Sequence, residues 1–207
     1  MAYAVKEVFL TQQGEGANIG RTAVFIRFAG CNLWSGREQD RATAICQFCD
    51  TDFVGGTRYA TPDDLADAAL AAWSAQRPEH RMAVLTGGEP LLQADAALIR
   101  ALRSRSFYVA AETNGTQKLP CPIDWLCVSP KAGAPLVLRQ ADELKLVYPQ
   151  DGLKPEDLSG FQSTHRWLSP MDAPGRLAAN IEVASAYCRT HPEWRLAIQA
   201  HKYWNIP

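Results

Sequence analysis

Cys31, Cys46 and Cys49 are the residues of this chain best suited to chemistry, and they lie in a C-x14-C-x2-C arrangement. A C-x2-C pair lets two thiolates from one tight turn reach a single metal centre. A structural zinc ion wants four protein ligands, and a fourth cysteine at suitable spacing is missing, although Asp50 or a distant histidine could complete the set. Three thiolates also suit a four-iron cluster that leaves one iron open to a small molecule. The spacing alone leaves cluster, zinc and coincidence open. The other three cysteines carry less. Cys127 sits in the buried-strand pattern Trp125-Leu126-Cys127-Val128-Ser129, and Cys188 continues the apolar spacing of Leu177, Ile181 and Ala184. Both read as small core hydrophobes. Cys121, between two prolines, is uninformative.

The elements around the triad follow from periodicity. Residues 24–29 alternate as a strand that delivers the chain into Cys31, with Arg27 on the face opposite Val24, Ile26 and Phe28. The polar stretch 35–43 reads as a loop or short irregular helix. Thr61 and Pro62 form a helix start, followed by Leu65, Ala68, Ala69, Ala72 and Trp73 on one face. A strand over 81–86 ends in Gly87-Gly88-Glu89-Pro90, and a second helix is expected to carry Leu91, Leu92, Leu98, Ile99 and Leu102. A strand over 107–112 ends in Thr113-Asn114-Gly115. Residues 125–129, 143–148, 166–169 and 194–199 are further strands, with a helix over 175–190 between the last two.

Strands alternating with helices predict a parallel sheet with crossover helices. At most about six units fit, fewer than the eight of a closed barrel of about 250 residues. The expectation is an α/β fold in which residues 1–207 form a single domain, an open or partial (β/α) barrel, with a loop at 31–49 bearing the cysteines. Ligands of such sheets collect at the carboxyl ends of the strands. The unusual motifs all fall there: Cys31, Gly87-Gly88-Glu89-Pro90, Glu112-Thr113-Asn114-Gly115 and Ser129-Pro130-Lys131.

Composition narrows the class. Apolar residues make up 47% and charged residues 21% of the 207, as in an ordinary globular protein. Lys plus Arg number 21 against 22 Asp plus Glu, a net charge of −1 that suggests neither nucleic acid nor an anionic membrane as partner. No apolar run approaches the roughly 18 residues of a membrane span. Lys6 and Glu7 interrupt the first ten residues where a secretory leader needs its apolar stretch. The chain is therefore expected in the cytoplasm, where cysteines serve as thiols or metal ligands rather than disulfides.

With these residues assembled, the sequence is similar to radical S-adenosylmethionine enzymes and more narrowly resembles the 7-carboxy-7-deazaguanine synthase family of the deazapurine (queuosine) pathway. The expanded C-x14-C-x2-C loop matches one branch of that family. So do Gln13-Gly14-Glu15-Gly16, Ala29 to Glu38, Phe48-Cys49-Asp50-Thr51-Asp52, Thr86-Gly87-Gly88-Glu89-Pro90, Glu112-Thr113-Asn114-Gly115, Ser129-Pro130-Lys131, Pro170-Met171-Asp172 and His201 to Pro207. The matches run the length of the chain. Gln12, Ala200 and Trp204 depart from the family pattern, without a physical reason in the sequence.

The resemblance implies a radical S-adenosylmethionine fold and a ring contraction of 6-carboxy-5,6,7,8-tetrahydropterin to 7-carboxy-7-deazaguanine with loss of ammonia. It also implies a [4Fe–4S] cluster, S-adenosylmethionine and Mg²⁺ as cofactors, an electron donor such as flavodoxin or ferredoxin, and a homodimer. By the same resemblance Cys31, Cys46 and Cys49 hold three irons. Phe48, Asp50, Gly88, Ser129, Pro130 and Lys131 contact S-adenosylmethionine, and Glu112 its ribose. Gln12, Gln13, Gly14, Glu15, Arg27, Thr86, His201 and the Pro207 α-carboxylate face the substrate, with Arg27 able to clamp a carboxylate in bidentate fashion. Thr51 joins the Mg²⁺ shell, its ordinary alternative being a turn threonine. Two rivals stand beside this enzyme: a radical activase of a partner protein, and a non-catalytic zinc-binding module.

Overall fold

The computed structural model describes residues 2–74 and 77–207. Met1, the first residue of the stretch read for a leader, lies outside the described residues.

The chain enters through strand β1 (Tyr3–Gln12), which pairs antiparallel with β2 (Thr22–Phe28). Between Val5 and Glu7 the register shifts: Val5 opposes Phe28 and Glu7 opposes Arg27, two steps on β1 against one on β2. This bulge breaks the two-residue alternation, which is why the N-terminal segment does not read as a strand in the sequence. A short strand, β3 (Thr57–Tyr59), pairs antiparallel with β1 at the sheet edge.

From β2 onward the sheet is parallel. Strands β4 (Met82–Gly87), β5 (Tyr108–Thr113), β6 (Trp125–Val128), β7 (Gln140–Tyr148), β8 (Gln162–Pro170) and β9 (Arg195–Leu196) add in chain order, giving nine strands among the described residues in the order β3-β1-β2-β4-β5-β6-β7-β8-β9. The α/β partial-barrel expectation holds. Helices α1 (Pro62–Ala72), α2 (Ala96–Ser104) and α3 (Leu177–Thr190) make crossovers, and α4 (Ala200–Trp204) follows the last strand. The β5–β6 and β6–β7 connections carry no helix, and β7–β8 has only a 3-10 turn at Pro155–Leu158.

Local chemistry sets the helix boundaries. Thr61 accepts from Asp64 N at 3.1 Å while Asp64 accepts from Thr61 N at 2.9 Å, so two free N–H groups at the start of α1 are satisfied reciprocally. The second helix starts later than its spacing predicts. Pro90–Leu92 form one 3-10 turn, and α2 restarts at Ala96 with Asp95 accepting from Leu98 N at 2.9 Å. Leu91 is buried but Leu92 is exposed, so their apparent continuity with Leu98 was a coincidence of spacing. The last expected strand, 194–199, shrinks to Arg195–Leu196.

One face of the sheet packs Val24, Ile26, Phe28 and Leu85 against Leu65, Ala69, Leu98, Ile99 and Leu102 of the helices, all of them buried. The other face carries small or compact buried residues, Ala23, Met82, Val84 and Ala110, beside Phe25, Tyr108 and Trp125. Above these, at the carboxyl ends of the parallel strands, the sheet opens into a cavity.

Candidate active site

That cavity has a volume of about 710 Å³. The cysteine loop, the turns after β4 and β5, and the C-terminal segment form its walls. Every residue to which the resemblance gives a cluster, cofactor, cation or substrate role lines it except Pro130, which is buried and spaces Ser129 from Lys131 without reaching the cavity.

The cysteine wall is built by backbone anchoring. Leu33 O accepts from Ile45 N at 3.1 Å and Cys46 N at 3.2 Å, closing the long loop into a ring that returns Cys46 beside Cys31. Asn32 joins the ring to the turn after β5, donating to Thr116 Oγ1 at 2.8 Å and accepting from Asn114 Nδ2 at 3.1 Å. The Cys46 and Cys49 thiols perturb each other. Their interaction lowers Cys49 to about 6 and, with burial, pushes Cys46 up, while burial raises Cys31.

Gly88 shows why this wall needs glycine. A Cβ there would lie 1.9 Å from Gly30 O and 3.1 Å from Cys31 Cβ, so only a residue without a side chain lets β4 approach the cysteine loop. Gly88 N donates to Phe28 O at 3.1 Å and Glu89 N to Gly30 O at 2.9 Å. Glu89, fully buried, then accepts from Leu91 N at 2.9 Å, Thr113 Oγ1 at 2.7 Å and Asn114 N at 2.8 Å. It ties the end of β4 to the end of β5.

On the adjoining wall the Lys131 ammonium donates to the carbonyl and the hydroxyl of Ser129, both at 2.7 Å, and lies 6.0 Å from the Phe48 ring centroid. Burial lowers its pKa.

The floor is a charged network. Lys145 Nζ lies 2.5 Å from Glu15 and 3.0 Å from Glu112. Gln13 Nε2 donates to Glu112 at 2.8 Å and Gln199 Nε2 to Glu15 at 2.9 Å. Burial alone would raise the Glu15 carboxyl; the Lys145 charge, with hydrogen bonds from Lys145 and Gln199, outweighs it and holds the carboxyl below its usual value. For Lys145, Glu112 and Glu15 likewise overcome burial and keep the ammonium charged. Glu112, read from the sequence as a ribose partner, is thus bonded to Gln13 and joined through Lys145 to Glu15.

At the mouth, Arg27 Nε donates to Glu7 at 2.7 Å, and its guanidinium carbon lies 5.6 Å from the Phe9 ring centroid. Thr86 is its register partner on β4. Thr51 lies between two engaged carboxylates: Asp52 pairs with Lys6 at 2.7 Å and Asp50 with Lys202 at 3.5 Å. Lys202 also reaches Asp172 at 2.6 Å. The C-terminal segment is fastened by Ala200 N to Gly14 O at 2.9 Å and by Thr11 Oγ1 to Pro207 O at 3.0 Å. His201 packs so closely on Gly14 that a Cβ there would lie 2.5 Å from His201 Nδ1.

Comparison with known proteins decides the family. The 7-carboxy-7-deazaguanine synthases of Caulobacter vibrioides and Bordetella pertussis are each 55% identical to this chain, and that of Bradyrhizobium diazoefficiens is 57% identical. Each match covers 100% of both chains. The chain belongs to the 7-carboxy-7-deazaguanine synthase family. No family model matches it. The crystal structure of QueE from Escherichia coli, at 24% identity, superposes with a TM-score of 0.71 over 97% of this chain and 95% of that one, and so shares the fold.

The donor set suits the cluster that a 7-carboxy-7-deazaguanine synthase would carry. A cubane takes one thiolate per iron, and three thiols on one cavity wall meet that need.

Lys145 and Gln199 are cavity residues that the sequence reading missed. Gln199 carried no signal. Lys145 carried a weak one: with Glu143 it places two charges on one face of a strand whose other face, Leu144 and Leu146, is fully buried.

Proposed function

We propose that this chain is a radical S-adenosylmethionine lyase that contracts 6-carboxy-5,6,7,8-tetrahydropterin to 7-carboxy-7-deazaguanine with loss of ammonia. The observation that carries the proposal is the meeting of the cysteine triad and the Gln13, Glu15, Glu112 and Lys145 network in one cavity, in a chain matched end to end by synthases of that name.

Cys31, Cys46 and Cys49 would hold a [4Fe–4S] cluster, which together with S-adenosylmethionine supplies the radical chemistry when bound. Gly88, Phe48, Asp50, Ser129 and Lys131 would surround the S-adenosylmethionine, Gly88 by letting it approach the main chain and Lys131 by its charge. Gln12, Gln13, Gly14 and Glu15 would hold the pterin, and Glu112 the ribose of S-adenosylmethionine beside it. Amide and carboxylate groups suit the pterin's mixed donor and acceptor edge, and Lys145 keeps both acids in place. Arg27 gives its Nε to Glu7 and would offer its terminal nitrogens to a substrate carboxylate. Thr86, His201 and Pro207 close around the same ligand, and the fastened C-terminal segment limits the access of water. Thr51 would add a neutral oxygen to a Mg²⁺ shell otherwise made of substrate and water, as suits a hard cation that keeps several waters.

The remaining partners follow the same reading: a small flavin or iron–sulfur electron donor such as flavodoxin or ferredoxin, and a second copy of the chain. No helix among the described residues is long and apolar enough to cross a membrane, and the proposed setting is the cytoplasm.

The test is anaerobic turnover of the reconstituted protein with 6-carboxy-5,6,7,8-tetrahydropterin, S-adenosylmethionine, reductant and Mg²⁺, read by mass spectrometry. Appearance of 7-carboxy-7-deazaguanine is expected. Formation of 5′-deoxyadenosine without it would remove the substrate assignment, and a stoichiometric zinc content without iron would remove the radical chemistry.

A further inference from the structure

The loop between Cys31 and Cys46 is long, and its purpose is not evident from spacing. Its middle, Glu38–Thr43, is a 3-10 helix with no buried residue, so it does not serve the core. Arg41 ties it to the cysteine turn. The Arg41 guanidinium is fixed on three sides: Nε donates to both Glu38 oxygens at 2.9 and 2.8 Å, its carbon lies 4.1 Å from the Trp34 ring centroid, and Nη1 donates to Gln47 O at 2.9 Å and Cys49 O at 3.0 Å. Trp34 is itself buried and edge-on to Phe53 at 5.6 Å.

The two accepting carbonyls flank Phe48 inside the Cys46-x2-Cys49 turn. A planar cation with a carboxylate on one edge and an indole on its face has little freedom left, so its N–H directions fix both carbonyls and with them the turn that aims Cys49. Gln47 returns the contact by donating to Ala42 O at 3.1 Å, so loop and turn hold each other.

We propose that Arg41 is a positioning residue for the cluster: through Gln47 O and Cys49 O it holds the Cys46-x2-Cys49 turn in its ligating shape and sets a positive charge beside the cluster. This rests on the reading of Cys31, Cys46 and Cys49 as cluster ligands. It gives the inserted loop a purpose, since Glu38, Arg41 and Trp34 all belong to it. Two consequences are separable. Loss of the restraint speeds release of iron, and loss of the charge makes an added electron less favourable and lowers the midpoint potential.

The test compares full-length wild type, Arg41→Ala, Arg41→Lys and Cys46→Ala after anaerobic reconstitution. Iron per chain, the rate of iron loss to a ferrous chelator and the midpoint potential are measured. Arg41→Ala is expected to load iron but lose it about tenfold faster, the factor set by forfeiting about one charge-assisted hydrogen bond of restraint, and to titrate at a lower potential. Arg41→Lys keeps the charge and the potential but lacks the planar fork, and its iron loss is expected to stay fast. Wild-type iron loss in either Arg41 variant would overturn the proposal; Arg41→Lys alone decides it if Arg41→Ala does not fold. Cys46→Ala separates the premise: full iron retention there would mean that the ligand reading itself has failed.

Discussion

Lys145 Nζ lies 2.5 Å from Glu15 Oε2, joining two residues 130 positions apart on the floor of the cavity. Removing one partner of such a buried pair leaves the other charge uncompensated, at a cost of about 3–5 kcal/mol. Lys145→Met keeps the length of the side chain and removes its charge. The expected result is a loss of about 3 kcal/mol in stability, with kcat/KM for the pterin falling about 100-fold. Iron content should be unchanged, because Lys145 is bonded to the carboxylates of the floor and to no cysteine. Unaltered steady-state kinetics in a fully loaded variant would separate Lys145 from substrate binding.

Glu89 is buried under three donors, Leu91 N, Thr113 Oγ1 and Asn114 N. Glu89→Gln would turn one acceptor into a donor facing donors, a cost of about 1–3 kcal/mol. Burial also holds its carboxyl above the ordinary value of 4.5, against those hydrogen bonds. The folded state therefore binds this proton more tightly than the unfolded one. The stability this adds is complete below pH 4.5 and is lost as pH rises through the folded value. Urea unfolding across that range should show a falling Glu89 contribution in wild type that is missing in Glu89→Gln. Parallel pH profiles for the two proteins would contradict this account.

What the sequence exposes and what it hides separate along physical lines. Strand-end motifs such as Gly87-Gly88-Glu89-Pro90 are contiguous, and a parallel sheet delivers strand ends to one place, so their meeting in one cavity could be read without coordinates. β1 was hidden because the bulge at Val5 and Glu7 breaks its alternation. Lys145 was hidden because its partners come from two other chain segments, and an alternating Glu143 and Lys145 looks like a solvated strand face. The keystone role of Glu89 depends on Thr113 and Asn114, which belong to the end of the next strand. Arg41 finds its partners within eight residues, yet an irregular loop has no period from which to infer that they meet.

Gly88 offers a test that is independent of turnover. Adding a methyl group would set a carbon 1.9 Å from Gly30 O, and backbone cannot yield as a flexible side chain can. In Gly88→Ala the loop bearing Cys31 must move away from β4, and with it one wall of the cysteine site. The expected outcome is a large fall in iron retained after anaerobic reconstitution and desalting, in protein whose far-ultraviolet circular dichroism still reports the sheet. Iron retention at the wild-type level would mean that Cys31 tolerates the displacement.

Thr51 decides the magnesium reading. Its neighbours Asp50 and Asp52 are engaged by Lys202 and Lys6, so recruiting either carboxylate to a cation would break an ion pair. A neutral hydroxyl between them costs no such exchange, and Mg²⁺ accepts it readily alongside water. Even groups one shell removed from a metal are worth about 10–100-fold in affinity. Thr51→Ala is therefore expected to raise the half-saturating Mg²⁺ concentration for turnover by at least about tenfold. Thr51→Ser, which keeps the oxygen and loses only a methyl group, should restore most of the wild-type response. An Mg²⁺ titration identical in wild type and Thr51→Ala would remove Thr51 from the metal shell and return it to the turn threonine that its position between two acids otherwise suggests.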